Sequence, residues 1–285
     1  MKKSEPGRVA LMTGCGSGIG KATAIALAAS GWTVVATGRK PQSISGVDAA
    51  LTLSLDVTDS ASVRSAFSTV SERFGGIDLL INNAGFGAEA AVEELSDESL
   101  SEILETNLFG TLRCMRAAIP GMRERGSGAI INIGSIAGRW AAPFGGGYAA
   151  SKSALASLTE AARQELAPFG IKVILVEPGP IATGFKARLD ELSASVRGNR
   201  GSPYYPAYEL REAYMTSVRN TDPGPELVAA TVLGALAAKK PKARYLVASD
   251  PALRLLLQLP QDLRSSLFAS SVAAFSRSRA RKEPA

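Results

Sequence analysis

Short apolar runs alternate with longer stretches of helical periodicity through most of the chain. The runs cover residues 9–12, 33–37, 77–81, 129–133, 172–176 and 243–248. Runs of this length, bounded by turn residues, predict buried strands, and strands that alternate with helices predict a parallel sheet covered on both faces. We therefore expect an α/β fold with a doubly wound parallel sheet, in a single domain over residues 1–250.

The pattern changes after the sixth run. Leucines recur over residues 251–275 and predict a C-terminal helical extension, through Leu253, Leu256, Leu257, Leu263, Leu267 and Phe268. Three roles are open for it: it covers the entrance of a binding site, touches a membrane surface, or packs on the domain. Residues 276–285 hold four basic side chains and one acidic one, a net charge of +3, and predict a solvated basic tail.

Composition narrows the classes of protein that this chain can belong to. Its 285 residues, 46% of them hydrophobic, are enough for one large α/β domain and short for two. The two cysteines, Cys15 and Cys114, make no disulfide framework and favour a reducing, cytoplasmic location. The absence of histidine excludes histidine metal sites and Ser-His triads, and we expect no bound metal. The longest apolar run, 227–238, is too short to span a bilayer.

The formal net charge of +6 points to no particular partner, since half of it lies in the tail. No aromatic residues interleave with the tail's basic side chains, as they do in proteins that bind single-stranded nucleic acid. We therefore expect no nucleic-acid partner, while peripheral contact with an anionic membrane surface stays open.

A glycine-rich turn follows the first run. Residues 13–20 are TGCGSGIG, and a helix-like stretch follows at 21–30. A strand, a glycine turn and a helix N-terminus together form an anion site of the Rossmann type, because free N–H groups and the helix dipole point at it. The residues that we expect at a nucleotide are Thr13, Gly14, Gly16, Ser17, Gly18, Ile19 and Gly20. The alternative is a glycine turn without a ligand.

The end of the second run bears on the choice of nucleotide. An acidic residue usually stands there and binds the ribose 2′-hydroxyl of NAD. This chain has Gly38 followed by Arg39 and Lys40. Because a guanidinium can hold a 2′-phosphate through two hydrogen bonds, Arg39 favours NADP as the cofactor. The alternative is a solvated basic turn.

Tyr148 and Lys152 are four residues apart on a predicted helix and share one face of it. A cation about 4 Å from the phenol would lower its pKa by roughly one to three units and prepare it for acid–base catalysis. Ser135 ends an apolar run thirteen residues before Tyr148 and supplies a hydroxyl. By itself the Tyr-Lys pair is also typical of an amphipathic helix surface.

Polar or turn-forming residues also end three of the predicted strands. Asn82 and Asn83 follow one run, Ser135 ends another, and Pro178 ends a third. The carboxyl ends of parallel strands meet at one edge of a sheet, where open α/β sheets bind their ligands. The sequence therefore predicts that these residues line one crevice, although each alone is ordinary as a turn, cap or strand terminator.

Together, these motifs resemble the short-chain dehydrogenase/reductase family over residues 8–185. The matching segments are 13–20, 55–57, 82–85, Asn107, Ser135, Tyr148 with Lys152, and 178–183. The resemblance implies an oxidoreductase that transfers hydride between NADP(H) and an alcohol or carbonyl. It also implies a homodimer packed through helices around residues 100–123 and 148–169.

The resemblance implies a role for each matching residue. The cofactor would be held by Asp56, Val57, Asn83, Ala84, Gly85, Pro178, Gly179, Ile181 and Thr183, besides the glycine turn and Arg39. Ser135 would orient the substrate oxygen, Tyr148 would carry the proton, and Lys152 would bind the nicotinamide ribose and depress the pKa of Tyr148. Asn107 would anchor a water molecule in the proton relay.

Residues 184–222 would cover the crevice and contact the substrate. They hold Phe185, Tyr204, Tyr205, Tyr208, Tyr214 and Met215, side chains that suit a bulky apolar substrate or equally pack the segment onto the domain. Gly198, Gly201 and Pro203 suggest a movable lid. The lengthened C-terminus, without an Asp-Gly-Gly turn, resembles the branch of hydroxysteroid and retinol dehydrogenases.

We therefore expect a steroid-, retinoid- or lipid-like ketone or aldehyde as the substrate. Three alternatives are kept: a reductase of small ketones or acyl carbonyls, a non-catalytic protein that senses NADP, and a Rossmann-like methyltransferase.

Overall fold

The computed structural model describes residues 8–218, 222–248 and 250–266. Within them, seven parallel strands form one sheet in the order β3-β2-β1-β4-β5-β6-β7. The strands are β1 Val9–Met12, β2 Thr33–Gly38, β3 Leu51–Ser54, β4 Leu79–Asn82, β5 Gly128–Ile133, β6 Ile171–Pro178 and β7 Arg244–Val247. This order confirms the predicted doubly wound Rossmann fold in a single domain.

Helices connect successive strands and cover both faces of the sheet. They are α1 Gly18–Ala29, α2 Ser60–Phe74, α3 Asp97–Leu104, α4 Thr111–Glu124, α5 Gly146–Leu166, α6 Phe185–Arg197, α7 Tyr205–Val218, α8 Glu226–Ala237 and α9 Pro251–Leu256. A π-helical segment, Glu105–Gly110, joins α3 to α4. Helix α1 begins three residues earlier than the apolar pattern predicted, because the last glycines of the turn already belong to it.

The strands are apolar at successive positions because both faces of the sheet are buried. Leu80 of β4 faces a core shared with α2, α4 and α5, while its neighbours Leu79 and Ile81 face the core beneath α1 and α8. β3 is the one strand that the apolar runs did not predict. It lies at the sheet edge, where Leu51 and Leu53 alternate with exposed polar residues.

The described part of the C-terminal extension packs on the domain, which favours the third of its three predicted roles. Arg254 of α9 donates a hydrogen bond from Nε to the carbonyl of Ala248, 2.7 Å away. Leu253 lies against Gly179 at the end of β6. The predicted basic tail and the side chains of Tyr214, Met215, Leu267 and Phe268 lie outside the described residues. None of the described helices is long and apolar enough to cross a membrane.

Candidate active site

The predicted site residues gather at the carboxyl edge of the sheet. Thr13 follows β1, Asn83 follows β4, Ser135 follows β5, and Pro178 ends β6. β1, β4, β5 and β6 are consecutive neighbours in the sheet, so their ends line one continuous crevice. The tertiary structure therefore brings together residues that are up to 165 positions apart in the sequence.

The glycine turn is fixed to the loop after β4 by hydrogen bonds. Thr13 Oγ1 accepts from the N–H groups of Asn83 and Ala84, each at 3.0 Å. Asn83 Nδ2 donates to the carbonyls of Thr13 and Gly14, each at 3.1 Å. A Cβ on Gly20 would lie 2.0 Å from the Gly14 carbonyl oxygen. Close backbone packing, as well as ligand access, thus explains why glycine occupies this turn.

The mouth of the turn has the features of a diphosphate site. Helix α1 begins at Gly18, and the side chain of Ser17 at its N-cap accepts no hydrogen bond from the first turn, so the N–H groups of that turn are available to an anion. Gly18 has a φ of +52°, and a Cβ there would lie 3.0 Å from Thr183 Cβ. A Cβ on Gly16 would meet Ser43 Oγ at the same distance. These residues form a cradle that fits the diphosphate of a dinucleotide.

Arg39 is exposed at the end of β2, beside the cradle. Its guanidinium makes no ion pair with any described side chain. Its own backbone carbonyl accepts a hydrogen bond from Ser54 at the end of β3. Asp56 lies two residues after Ser54, and its carboxylate accepts two hydrogen bonds from Thr58. The guanidinium is therefore free to meet an anionic group at this end of the crevice.

Tyr148, Ser135 and Lys152 meet in the middle of the crevice. Tyr148 and Lys152 lie in successive turns of α5, with Lys152 Nζ 5.7 Å from the centre of the Tyr148 ring. The Ser135 hydroxyl faces the phenol and acts to lower the pKa of Tyr148. Lys152 Nζ donates to the Ile133 carbonyl at 2.9 Å, which anchors it to the end of β5. Ser135 also caps a short 3-10 turn by accepting from the N–H of Ala137 at 3.1 Å.

Burial controls the titration of this pair. Burial raises the pKa of Tyr148 to about 12, and the hydrogen bond with Ser135 acts in the opposite direction. Burial lowers the pKa of Lys152 to about 8. The predicted net lowering of the Tyr148 pKa is therefore wrong for the chain alone, because the loss of hydration outweighs the contacts that favour the phenolate.

Asn107 lies in the π-helical segment and is fully buried. Its Oδ1 accepts from the N–H of Phe86 at 3.0 Å, and its Nδ2 donates to the Phe86 carbonyl and to Ser151 Oγ, each at 2.9 Å. Ser151 in turn donates to the Tyr148 carbonyl at 2.7 Å. Asn107 therefore joins the loop after β4 to α5, and its role as a water anchor stays a prediction. Sequence reasoning missed Ser151, although it lies between Tyr148 and Lys152.

Comparisons with known proteins agree with this geometry. A family model described as short chain dehydrogenase matches residues 8–193. Human 17-beta-hydroxysteroid dehydrogenase type 1 is 35% identical over 269 residues, which are 88% of this chain and 81% of that protein. The chain belongs to the short-chain dehydrogenase/reductase family. Members of this family are oxidoreductases that act on carbonyl or hydroxyl groups and bind a nicotinamide cofactor.

A further reductase and a solved structure are also similar to this chain. The 3-ketodihydrosphingosine reductase of Bacteroides thetaiotaomicron is 43% identical over 178 residues, 62% of this chain and 65% of that protein. A short-chain dehydrogenase/reductase of Burkholderia phymatum, solved in complex with NAD, superposes with a TM-score of 0.75 at 28% identity. That superposition covers 90% of this chain and 93% of the other.

One side of the Tyr148 ring is covered by apolar groups. Phe185, the first residue of α6, lies with its ring centre 5.5 Å from that of Tyr148. Gly87 fits between them, since a Cβ there would lie 3.1 Å from Tyr148 Cδ2 and 3.3 Å from Phe185 Cζ. Gly87 was not predicted from the sequence, because an isolated glycine in a loop gives no signal of which ring it faces.

Tyr204 and Tyr208 hold the covering segment to the domain, and Tyr205 bonds within the segment. Tyr208 is 2% exposed, and its hydroxyl accepts from the N–H of Ala91 at 2.7 Å and donates to Glu94 at 2.6 Å. Tyr204 donates to Glu93 at 2.7 Å, and Tyr205 to Glu209 at the same distance. Of the described aromatic side chains in this segment, Phe185 faces the candidate catalytic group and the tyrosines do not.

Proposed function

We propose that this chain is an NADP(H)-dependent oxidoreductase that transfers hydride between the nicotinamide and a hydrophobic alcohol or carbonyl compound. The observation that carries the proposal is the meeting of Ser135, Tyr148 and Lys152 beside a glycine cradle that fits a dinucleotide. The cofactor, when bound, supplies the hydride in reduction and accepts it in oxidation. The cradle residues and Thr183 would hold it, with Arg39 at the 2′-phosphate.

Side chains of this protein orient the substrate oxygen and transfer its proton. In the reducing direction, Ser135 donates a hydrogen bond that orients the substrate carbonyl oxygen, and Tyr148 gives its proton to that oxygen. A pKa of about 12 means that the phenol carries its proton at neutral pH before the substrate binds. The Lys152 ammonium, 5.7 Å from the ring, stabilises the phenolate that remains. In oxidation the same proton moves back from the alcohol to Tyr148.

The apolar surface beside Tyr148 supports a hydrophobic substrate. Phe185 is 36% exposed, next to the candidate catalytic phenol, where an apolar ligand would cover it. Two relatives act, by their names, on a hydroxysteroid and on ketodihydrosphingosine. Both names are in line with a lipid-like ketone as the substrate of this chain.

The decisive test is oxidation of NADPH in the presence of steroid, retinoid, acyl and small-aldehyde carbonyl panels. We expect turnover with members of the lipid-like panels. Tyr148→Phe should lower kcat by about 10²–10⁴-fold, because the acid is lost while the ring is retained. NADPH binding, measured by quenching of protein fluorescence, should be nearly unchanged.

Three results would contradict this function. NADPH binding without turnover on any panel would support a sensing protein instead. A Tyr148→Phe variant that keeps most of the wild-type kcat would remove Tyr148 from the chemistry. Binding of S-adenosylmethionine in place of NADPH would point to a methyltransferase.

We also infer a cytoplasmic enzyme. Cys15 and Cys114 are both free and buried, and burial raises the pKa of each thiol to about 12. Such thiols act as small apolar core residues and are compatible with a reducing compartment.

A further inference from the structure

A buried carboxylate lies next to the candidate active site and has no part in the chemistry described above. Glu177 is the next-to-last residue of β6, and its side chain is 0% exposed. Burial of a charge without a partner is strongly unfavourable, so such a group is retained only where other groups satisfy it. In this chain that requirement is met mainly by a single residue, Arg139.

Arg139 and Glu177 form a two-point contact. Arg139 donates from Nε to Glu177 Oε2 at 3.0 Å, and a second guanidinium nitrogen forms an ion pair with the same oxygen. This hydrogen bonding raises the pKa of Arg139. Arg244 of β7 lies 3.6 Å from Oε1, the oxygen that has no hydrogen bond within the described residues. Arg139 is thus the principal partner of the buried carboxylate.

The pair joins two segments that carry candidate functional residues. Arg139 directly follows the 3-10 turn Ile136–Gly138, which Ser135 caps. Glu177 directly precedes Pro178 and Gly179, where the cofactor would lie. The two segments are also joined at their start, where the N–H of Gly134 donates to the Val176 carbonyl at 2.7 Å. The segment 134–139, which contains Ser135, is therefore joined to β6 at both of its ends.

The opposite side of the same turn is held by α5. Ser153 Oγ donates to the Gly138 carbonyl at 3.1 Å. A Cβ on Gly138 would lie 2.9 Å from the Lys152 carbonyl oxygen, so the turn is in close contact with the helix that carries Tyr148. The turn lies between α5 on one side and the Arg139–Glu177 pair on the other. Loss of the pair would free the end of the turn on the β6 side and leave the Gly134–Val176 hydrogen bond at its start.

We propose that Arg139 and Glu177 are positioning residues that fix Ser135 against Tyr148. This inference rests on the proposed function, because it concerns the same hydroxyl and phenol. Neither residue acts on the substrate itself. Their effect is on the fraction of bound substrate whose oxygen meets both Ser135 and Tyr148 in reacting geometry.

The first test is Arg139→Met, which keeps the length of the side chain and removes the ion pair. Because a misplacement of about 1 Å can cost on the order of 10²-fold in rate, we expect kcat to fall by roughly 10–100-fold. The KM for NADPH should stay near its wild-type value, because Ser135 is not in the cradle. Arg139→Lys, which keeps the charge, should recover part of the kcat.

A double-mutant cycle separates positioning from a general loss of structure. If Arg139 acts through Ser135, then Arg139→Met should have almost no further effect on kcat once Ser135→Ala is present. A merely structural role would lower kcat by the same factor in both backgrounds. The residual rates are measured at high enzyme concentration, with NADPH consumption followed over hours.

Arg163→Met is the matched control. Arg163 donates to the Val173 carbonyl of the same strand at 2.8 Å and to the Pro241 carbonyl at 3.2 Å, far from the carboxyl end. Its loss should lower Tm and leave kcat unchanged. If Arg139→Met does not fold, Glu177→Gln and Arg139→Lys replace it in the same cycle, since both keep the shape of the contact.

The results of these experiments distinguish failure of the positioning proposal from failure of the proposed function. A fall in kcat that disappears in the Ser135→Ala background supports the proposal. A kcat for Arg139→Met equal to that of Arg163→Met, or equal factors in both backgrounds, overturns it while the proposed function stands. Absence of turnover by the wild-type protein on every carbonyl panel overturns both.

Discussion

At the scale of single residues, we propose that Arg39 selects the cofactor. The end of β2 carries no carboxylate, and the guanidinium of Arg39 is exposed and forms no ion pair with the described side chains. An acidic residue at this place would bind a ribose 2′-hydroxyl and repel a 2′-phosphate. The neighbouring structure solved with NAD makes the choice between the two cofactors a matter for experiment.

We predict that Arg39→Asp reverses the preference. Loss of a charge-assisted bond of about 1.5–3 kcal/mol should lower kcat/KM for NADPH by roughly 10–100-fold. The value for NADH should rise or stay constant. Lys239→Asp is the control, because it makes the same charge change at an exposed position after α8, at the opposite edge of the sheet. An unchanged NADPH to NADH ratio in Arg39→Asp would refute the role given to Arg39.

Lys152 is an example of a residue that burial destabilises in its charged form. Its folded pKa is about 8, below the ordinary lysine value of 10.5. Between these two pH values the unfolded chain holds a proton that the folded chain has released. Rising pH therefore favours the folded state in this window. Below pH 8 the folded state bears the full cost of burying the charged ammonium.

The predicted consequence is a stability that rises with pH from pH 8 to pH 9. Unfolding by urea should show a gain of up to about 1.4 kcal/mol per pH unit in this window. Above pH 9 the raised pKa values of Cys15 and Cys114 act in the opposite direction, and above pH 10 so does that of Tyr148, since the folded state then holds the extra protons. The Lys152→Met variant should lack the rise, and the same slope in both proteins would show that Lys152 is not its source.

At the scale of elements, helices α6 and α7 are fastened over the crevice by buried polar contacts. Glu89, in the loop after β4, is 4% exposed and forms ion pairs with Arg211 of α7 and with Arg197, 3.6 Å away. The Glu89 N–H donates to Ser193 Oγ of α6 at 2.8 Å. In this structure α6 and α7 lie on the domain and form these contacts. A movement of the two helices as a lid would have to break them.

We predict that Tyr208→Phe destabilises this arrangement. The change would leave the buried N–H of Ala91 without its acceptor and should lower the free energy of unfolding by about 1–3 kcal/mol. Tyr205→Phe removes an exposed hydroxyl contact with Glu209 and should cost less than about 0.5 kcal/mol. Urea unfolding compares the two. An equal cost for both variants would show that Tyr208 does not fasten α7.

At the scale of the whole molecule, three apolar side chains in the regions of α4 and α5 are exposed to solvent. Phe109 before α4 is 47% exposed, Leu158 of α5 is 38% exposed, and Phe169 after α5 is 43% exposed. Exposed apolar groups mark an interface between proteins where they belong to one patch. They fall within the two helical regions expected to pack a homodimer, and we propose that surface as the dimer contact.

A charge at the centre of such a contact should separate the subunits. We expect the wild-type protein to sediment as a dimer and Leu158→Glu to sediment as a monomer at micromolar concentration. Leu255→Glu is the control, since Leu255 of α9 is 63% exposed outside the proposed surface and should leave the mass unchanged. A Leu158→Glu variant that remains dimeric would place the contact elsewhere.

Several elements could be predicted because their cause is local. Strand β4 is apolar at successive positions since both its faces are buried, and the glycine turn must be free of Cβ atoms where Gly20 meets Gly14. β3 escaped prediction because an edge strand needs few apolar residues. The pKa of Tyr148 was predicted in the wrong direction, because the four-residue spacing gives the charge partner and no measure of burial.

The sequence by itself determined the strand pattern, the glycine turn and the residues that end each strand, since these follow from short-range sterics and periodicity. Only the tertiary structure decided what those residues meet. Glu177 and Arg139 are separated by 38 positions, and Tyr208 and Ala91 by 117. No local pattern predicts such pairs, because a buried charge or hydroxyl is satisfied by whichever element the fold packs against it.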